Sequence, residues 1–415
     1  MTRIATRVPD PVVRRLTATL YGYAFLSDLV LLYPLYVVFF ADTGLSAGQI
    51  SSLFVIWSAA GVVFEVPSGA WADVVSRRLL LCLAPLVTAA GYALWVLVPS
   101  YPAFALGFLL WGAGGALVSG ALEALVWTEL DRLGAAGRYP RVLGRARTAG
   151  VLGVVLSGVL AGPVLAVGGY PAVGAASVLA CLLATAVAAR FPEHRSPAAE
   201  REPALDDDGE LGWWDTLRAG VSQVRTRPPV RAAVLLVAVV AADWGALDEF
   251  APLLALDTGV GAQVVPLLLL LLWAGVTVGG LLAPTAERMG GRGYAGLLAV
   301  VAVGLAGGAL LGHPVGFVLL AVAFGAAQLA TVLADARLQA RITGGSRATV
   351  TSLAGMATDV LIIVTYAAYG VLATAAGNAV AFAVTAGPYL VVALALLRRH
   401  RRSAAVPTGA ARRPT

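Results

Sequence analysis

Apolar runs of about 20 residues recur along the whole of this 415-residue chain, and each is long enough to cross a bilayer core as an α-helix. Segments of about ten residues with alternating polarity, which are typical of membrane barrel strands, do not occur. Charged residues make up 13% of the chain, against about 25% in soluble domains, so the chain could not cover a water-facing surface of its size. The pattern therefore predicts a helical bundle in a membrane.

The apolar runs predict an all-α membrane protein with twelve transmembrane helices. We place these spans near residues 16–40, 48–70, 79–98, 102–126, 146–167, 171–190, 231–254, 263–284, 294–311, 315–334, 348–373 and 377–397. The first run is too long for the apolar core of a signal peptide and lacks a small-residue cleavage site, so it is predicted to be the first span. The predicted domains are a six-helix bundle at 1–190, a linker at 191–230, a second six-helix bundle at 231–397 and a basic tail at 398–415.

Arginine is distributed unevenly between the loops on the two sides of these spans, and the chain contains no lysine. Arginines follow spans two, four, eight and ten and occur at both termini, as in Arg78, Arg141, Arg292 and Arg341. The opposite loops at 41–47, 99–102 and 256–261 have none. This asymmetry predicts a multi-pass protein of the cytoplasmic (inner) membrane with both termini in the cytoplasm. Because the arginines lie in short loops, the net charge of +6 indicates topology and not nucleic-acid binding.

The second part of the linker carries apolar residues at helical spacing with arginines between them. The apolar positions are Trp214, Leu217, Val221 and Val224. This spacing predicts a short amphipathic helix that lies on the inner leaflet or forms a cytoplasmic linker helix.

The two halves of the chain repeat each other. Four features recur at a spacing of 215 or 214 residues: Asp28 and Asp243; Asp42-Thr43-Gly44 and Asp257-Thr258-Gly259; Ala72-Asp73 and Ala286-Glu287; Arg78 and Arg292. Because six spans is an even number, both halves enter the membrane from the same side. The sequence therefore predicts a parallel repeat about an axis along the membrane normal.

The loop after span two carries the most informative local motif. Gly69, Ala72, Asp73, Arg77 and Arg78 match the signature of the major facilitator superfamily, whereas Val74 and Ser76 replace its usual Arg and Gly. The chain resembles this family, which implies two six-helix bundles that alternate in access, with spans one, four, seven and ten lining a central cavity. The resemblance also implies a conformational latch at Gly69, Asp73, Arg77 and Arg78 that stabilises the outward-facing state. A helix-end cap with positive-inside arginines is the alternative reading of these residues.

Carboxylates within the spans are the candidate binding groups. Asp28, Asp243 and Asp359 each lie about 18 Å into a span, near the bilayer centre, where an ionisable residue is a functional-site hypothesis by default. No Arg or His occupies the middle of any span, so a proton, a sodium ion or a cationic substrate is the expected partner. Hydrogen bonding to Ser, Thr or Tyr for helix packing is the alternative. The predicted substrate- and proton-binding residues are Asp28, Asp243, Asp359, Glu249 and Tyr21.

Aromatic residues near these carboxylates are candidates for the lining of a cavity, with ordinary packing as the alternative. Tyr21 precedes Asp28 by seven residues, which places both on one helix face, and Phe250 follows Asp243 by seven. Trp111 lies on span four.

These features together predict a secondary transporter that couples proton entry to the efflux of a drug-like or cationic small molecule. Gly158 to Pro163 in span five resembles part of a motif found in antiporters, which supports export. Uptake of a small nutrient, coupled to protons or sodium, is the alternative. We expect no enzymatic activity, no cofactor, no metal site and no nucleic-acid partner, since neither a phosphate-binding loop nor metal-ligand spacing is present. The expected partners are a small-molecule substrate, protons and the lipid bilayer, and the protein is expected to be a monomer.

Overall fold

Helices account for all the regular structure of this computed structural model, which describes residues 11–194, 213–342 and 347–404, without the side chains of residues 65–74, 213–217, 219–220, 348 and 399–404. In these ranges no β-strand occurs. The helices are α1 (Pro11–Asp28), α2 (Tyr36–Asp42), α3 (Ala47–Val74), α4 (Arg77–Leu97), α5 (Tyr101–Val118), α6 (Ala121–Arg132), α7 (Tyr139–Ala188), α8 (Trp213–Thr226), α9 (Pro228–Asp257), α10 (Val265–Ala286), α11 (Gly291–Leu310), α12 (Gly316–Gln339), α13 (Arg347–Ala376), α14 (Asn378–Thr385) and α15 (Gly387–Ala404).

Ten candidate membrane helices are present in the described part of the chain, so the predicted all-α membrane fold is confirmed. The count of twelve spans stays a prediction. Two features account for the difference between ten helices and twelve spans. The first predicted span is divided into α1 and α2, and the fifth and sixth predicted spans form one helical run, α7, whose backbone is non-helical at Gly169 (φ 63°, ψ −167°). A positive φ of this kind favours glycine, which explains how the chain turns at that position.

The first predicted span is broken between Asp28 and Tyr36, and Pro34 explains the break. Proline has no N–H, so Pro34 cannot donate to the carbonyl of Val30 as a continuing helix requires. The Val30 oxygen accepts instead from the Tyr33 amide at 3.0 Å and from Ser157 Oγ of α7 at 2.6 Å. The Leu32 amide, which would reach the Asp28 carbonyl in an unbroken helix, donates instead to Ser177 Oγ at 2.9 Å. Two serines of α7 thus satisfy backbone groups that the break releases.

The repeated Asp-Thr-Gly tripeptides are helix stops. In each, the threonine hydroxyl donates to the carbonyl three residues earlier, at 2.8 Å from Thr43 to Phe40 and 2.7 Å from Thr258 to Ala255. The glycine that follows has a positive φ of 90° in the first half and 83° in the second. Each aspartate binds a residue near the start of the last predicted span of its own half. Asp42 accepts from the Tyr170 hydroxyl, and Asp257 accepts from Asn378 Nδ2 at 2.9 Å. The repeat therefore has a structural cause at these positions.

The described chain forms two compact units. One comprises Met1–Glu210 with Gly261–Leu267, and the other Leu211–Val260 with Leu268–Thr415. The domain boundaries predicted from the sequence are not tested by this division and stay predictions. The predicted amphipathic helix is present as α8 in the second unit, where Val224 packs against a buried apolar cluster that includes Val230, Val234 and Leu338. Its position on the inner leaflet stays a prediction.

Close contact between α10 and α12 in the second unit depends on glycine. A Cβ added to Gly279 would lie against the Gly325 carbonyl oxygen and 2.7 Å from its carbonyl carbon. Gly275, one turn earlier, meets the backbone of Ala321 in the same way, with 2.8 Å from an added Cβ to the carbonyl carbon. Small residues four apart allow helix backbones to approach this closely in a membrane, where there is no hydrophobic drive between helices.

Candidate functional site

Asp243 on α9 is the most deeply buried of the predicted midplane carboxylates, with 7% of its surface exposed. Its Oδ1 accepts a hydrogen bond from Thr365 Oγ1 of α13 at 3.3 Å. Its Oδ2 is buried and has no hydrogen-bond partner. An ionised carboxylate with one oxygen in this condition is costly to bury, so the geometry favours occupation by a proton or a cation.

The polar groups next to Asp243 are engaged elsewhere. The Tyr389 hydroxyl of α15 donates to the Val240 carbonyl at 3.0 Å and accepts from the Trp244 amide at 3.1 Å. The Trp244 indole donates to Thr331 Oγ1 of α12 at 3.1 Å. These bonds hold α9 against its neighbours while leaving Asp243 Oδ2 without a donor.

Two further carboxylates lie on the same helix toward its C-terminal end. Asp248 accepts from the Trp273 indole of α10 at 3.2 Å. Glu249 is buried, with 8% of its surface exposed. The neighbouring Phe250 is also buried and stacks on Tyr369, with ring centroids 3.6 Å apart, so its role is packing.

Asp28 is placed differently, at the C-terminal end of α1 where the first predicted span breaks. Its side chain is exposed, and its Oδ2 lies so close to Gly150 of α7 that a Cβ at Gly150 would collide with it. Gly153, one turn further, leaves room for the Phe25 carbonyl and the Asp28 backbone. No described arginine or histidine forms an ion pair with Asp28. The repeat predicts Asp28 and Asp243 as equivalent, whereas one is exposed and the other buried.

The other two predicted binding residues are Asp359 and Tyr21. Asp359 is partly exposed on α13, six residues before Thr365. Tyr21 is partly buried and packs against the apolar cluster that includes Leu16, Leu20 and Leu125. Thr365 was not predicted, although the expectation that an intramembrane aspartate bonds to a hydroxyl fits one of the two oxygens of Asp243.

The predicted latch is only partly visible, because the surroundings of Gly69 and the side chain of Asp73 lie outside the described residues. Arg77 and Arg78 begin α4, and their amides donate to the Glu193 carboxylate at 2.8 Å and 3.4 Å. Glu193 also accepts from the Ser76 hydroxyl. It therefore caps the N-terminus of α4, where a negative charge is favourable.

A second carboxylate binds His194, the residue that follows Glu193. Glu129 of α6 is 1% exposed and accepts from the backbone amide of His194 at 2.8 Å. Its oxygens also lie 3.0 Å from His194 Nδ1 and 3.1 Å from Arg132. Sequence reasoning missed Glu193 and Glu129 because each acts on backbone groups more than 60 residues away.

Comparison with known proteins agrees with this architecture. The family model of the Major Facilitator Superfamily matches residues 18–332. A crystal structure of the nucleoside transporter NupG is similar, with a TM-score of 0.73, 14% identity, and coverage of 93% of this chain and 99% of that chain. A bacterial homologue of the human lysosomal transporter Spinster, in an inward-facing and unoccupied conformation, has a TM-score of 0.67, 15% identity, and coverage of 95% and 97%. No curated protein matches the chain in sequence.

Proposed function

Because the chain belongs to the Major Facilitator Superfamily, we propose that it is a secondary active transporter that exports a cationic small molecule by alternating access in exchange for protons. Its family and its fold support transport. The direction, the charge of the substrate and the coupling ion are our proposals.

The unpaired, buried Oδ2 of Asp243 is the observation that carries the proposal. A sodium ion in a protein requires several oxygen ligands, whereas only the Thr365 hydroxyl is bonded to Asp243 in the described structure. A proton needs no such shell, so it is the ion that fits best. Asp28, which is exposed at a helix end and has no described cationic partner, suits a positively charged substrate.

We propose export on the basis of the two carboxylates together. Protonation from outside, where protons are abundant, would favour release of the cation, and loss of the proton to the cytoplasm would favour rebinding. The protein would act as a monomer in the cytoplasmic membrane, with both termini in the cytoplasm, as the arginine distribution predicts.

Thermal stabilisation of the purified protein by chemically distinct compounds tests the proposed substrate class. We expect organic cations to raise the melting temperature, because a ligand that binds only the folded state stabilises it. The effect should weaken at lower pH, where protons compete. Sugars, amino acids and organic acids at the same concentrations are the controls. Stabilisation by sugars or organic acids, and not by cations, would contradict export of a cation and would favour uptake of a nutrient.

A further inference from the structure

The first unit contains a cluster of twelve aromatic rings, which we call the aromatic cluster. Its members are Tyr33, Tyr36, Phe39, Phe40, Phe54, Trp57, Tyr92, Trp95, Phe104, Phe108, Trp111 and Tyr170. Eight of these rings are buried and fill the core between α2, α3, α4 and α5. Four rings remain partly exposed: Tyr170, and a group of three in which Trp111 contacts both Tyr33 and Trp57.

Tyr33, Trp57 and Trp111 form a continuous aromatic wall. Trp57 of α3 and Trp111 of α5 are stacked, with ring centroids 5.0 Å apart and an interplanar angle of 27°. Tyr33, from the break in the first predicted span, stands edge-on to Trp111 with centroids 6.1 Å apart and an angle of 85°. The wall therefore joins two indoles and a phenol, each of them partly exposed.

Open space adjoins this wall. Gly61 follows Trp57 by four residues and Gly115 follows Trp111 by four, so each glycine lies on the same helix face as its tryptophan. A Cβ added at either glycine would meet nothing within 4 Å. By contrast, Gly112 on the neighbouring face is packed against α3, with an added Cβ 3.1 Å from that of Ala60.

The depth of the wall argues against a membrane anchor. Trp57 and Trp111 each lie ten residues from the start of their helix, which is about 15 Å, or half of the roughly 30 Å bilayer core. Tryptophans that anchor a helix to the bilayer lie at the two interfaces and not at the centre. Asp28 is predicted at the same depth, since it lies near the middle of its span.

Tyr33 connects the wall to Asp28 along the chain, because Asp28 ends α1 and Tyr33 lies five residues later, in the break before α2. Trp111 also contacts Tyr92 of α4, with ring centroids 5.5 Å apart. The first unit thus combines stacked indoles, open space and an exposed carboxylate with no described ion pair. A ring face attracts a cation, and the carboxylate balances its charge.

We infer that Trp57, Trp111, Tyr33 and Asp28 form the substrate site of the first unit, and that the substrate is a flat aromatic ring system carrying a positive charge. This inference rests on the proposed export of a cation and narrows it to one chemical class. The rings bind the flat face, and Asp28 selects for charge.

Equilibrium binding of three matched probes to the purified full-length protein tests this site. The probes are ethidium, which is flat and cationic; phenanthridine, its neutral parent ring; and tetraethylammonium, which has the charge without the ring. We expect ethidium to bind at least about tenfold more tightly than either of the others. Trp57→Leu and Trp111→Leu should each weaken ethidium binding about tenfold, and Trp111→Phe should keep most of it.

Trp127→Leu is the matched control, because Trp127 is an exposed tryptophan of the first unit that lies outside the aromatic cluster. It should leave ethidium binding unchanged. Asp28→Asn should weaken ethidium binding about tenfold and leave phenanthridine binding unaltered, which also shows that this variant is folded. Equal affinity for ethidium and phenanthridine, or equal loss in Trp127→Leu and Trp111→Leu, would overturn the inference.

The proposed site and the proposed exporter can be rejected independently of each other. Because equilibrium binding needs no gradient, the expected ethidium results without gradient-driven transport would support the site and contradict the proposed exporter. Gradient-driven transport of other cations, with ethidium binding insensitive to Trp57, Trp111 and Asp28, would retain the exporter and reject the site.

Discussion

Replacing Asp243 by Asn is expected to abolish the accumulation of a cation driven by a proton gradient while leaving exchange down a gradient intact. Asparagine has nearly the size of aspartate and cannot release a proton, so it imitates the permanently protonated carboxylate. Asp243 is suited to this role because its Oδ2 is buried without a hydrogen-bond partner. The Oδ1 bond from Thr365 can be retained by the asparagine carbonyl, so the helix packing should survive.

Ethidium accumulation in proteoliposomes measures this effect when a pH gradient is imposed. For Asp243→Asn the accumulation ratio should fall to the value in protein-free vesicles, and Asp28→Asn should lose gradient-driven accumulation as well. Asp257→Asn is the control, because Asp257 lies on the same helix but is exposed at its C-terminal end, bonded to Asn378. Full accumulation by both Asp28→Asn and Asp243→Asn would show that neither carboxylate couples and would leave Asp359, Glu249 or a sodium ion as candidates.

Replacing Gly279 by Ala should destabilise the protein, although alanine is normally the better residue in a helix by about 1 kcal/mol. The new methyl group would collide with the backbone of Gly325 on α12. Backbone cannot rotate away as a side chain can, so α10 and α12 must separate. Overpacking of this kind costs about 1–3 kcal/mol or more.

The adjacent glycine provides the control for this substitution. A Cβ at Gly280 would lie 3.9 Å from its nearest neighbour, the amide nitrogen of Gln328, which is an ordinary contact. Gly280→Ala should therefore be neutral or stabilising, whereas Gly279→Ala should lower both the melting temperature and the yield of monodisperse protein. Equal melting temperatures for the two variants would contradict the close packing of α10 on α12.

The membrane fold could be predicted from the sequence because hydropathy and arginine placement act over whole segments. The details of single helices could not be predicted in this way. Pro34 lies in an apolar run that is long enough for an unbroken span, and the partners of the break are Ser157 and Ser177, more than 120 residues away. The signal that was available was Pro34 itself, since an interior proline removes a helix hydrogen bond.

The candidate site was predictable in its residue types and not in its partners. Asp28 and Asp243 stand out because a carboxylate at midspan is costly, and that argument needs only the sequence. Their different environments depend on Gly150 against Asp28 and Thr365 against Asp243, which are contacts between distant segments. The Asp-Thr-Gly repeat was correctly found, but its geometry shows helix termination, so repetition alone does not identify a functional residue.

The sign of the proton movement that accompanies substrate entry tests the central claim most directly. Vesicles containing the wild-type protein and a pH-sensitive dye would receive ethidium on the outside, with no pH gradient imposed. Exchange of a cation for protons predicts that the interior becomes alkaline, that Asp243→Asn abolishes the change, and that protein-free vesicles show none. An interior that becomes acidic would show that cation and proton travel together, and an unchanged interior pH with ethidium entry would show that protons are not coupled; either result would contradict proton-driven export.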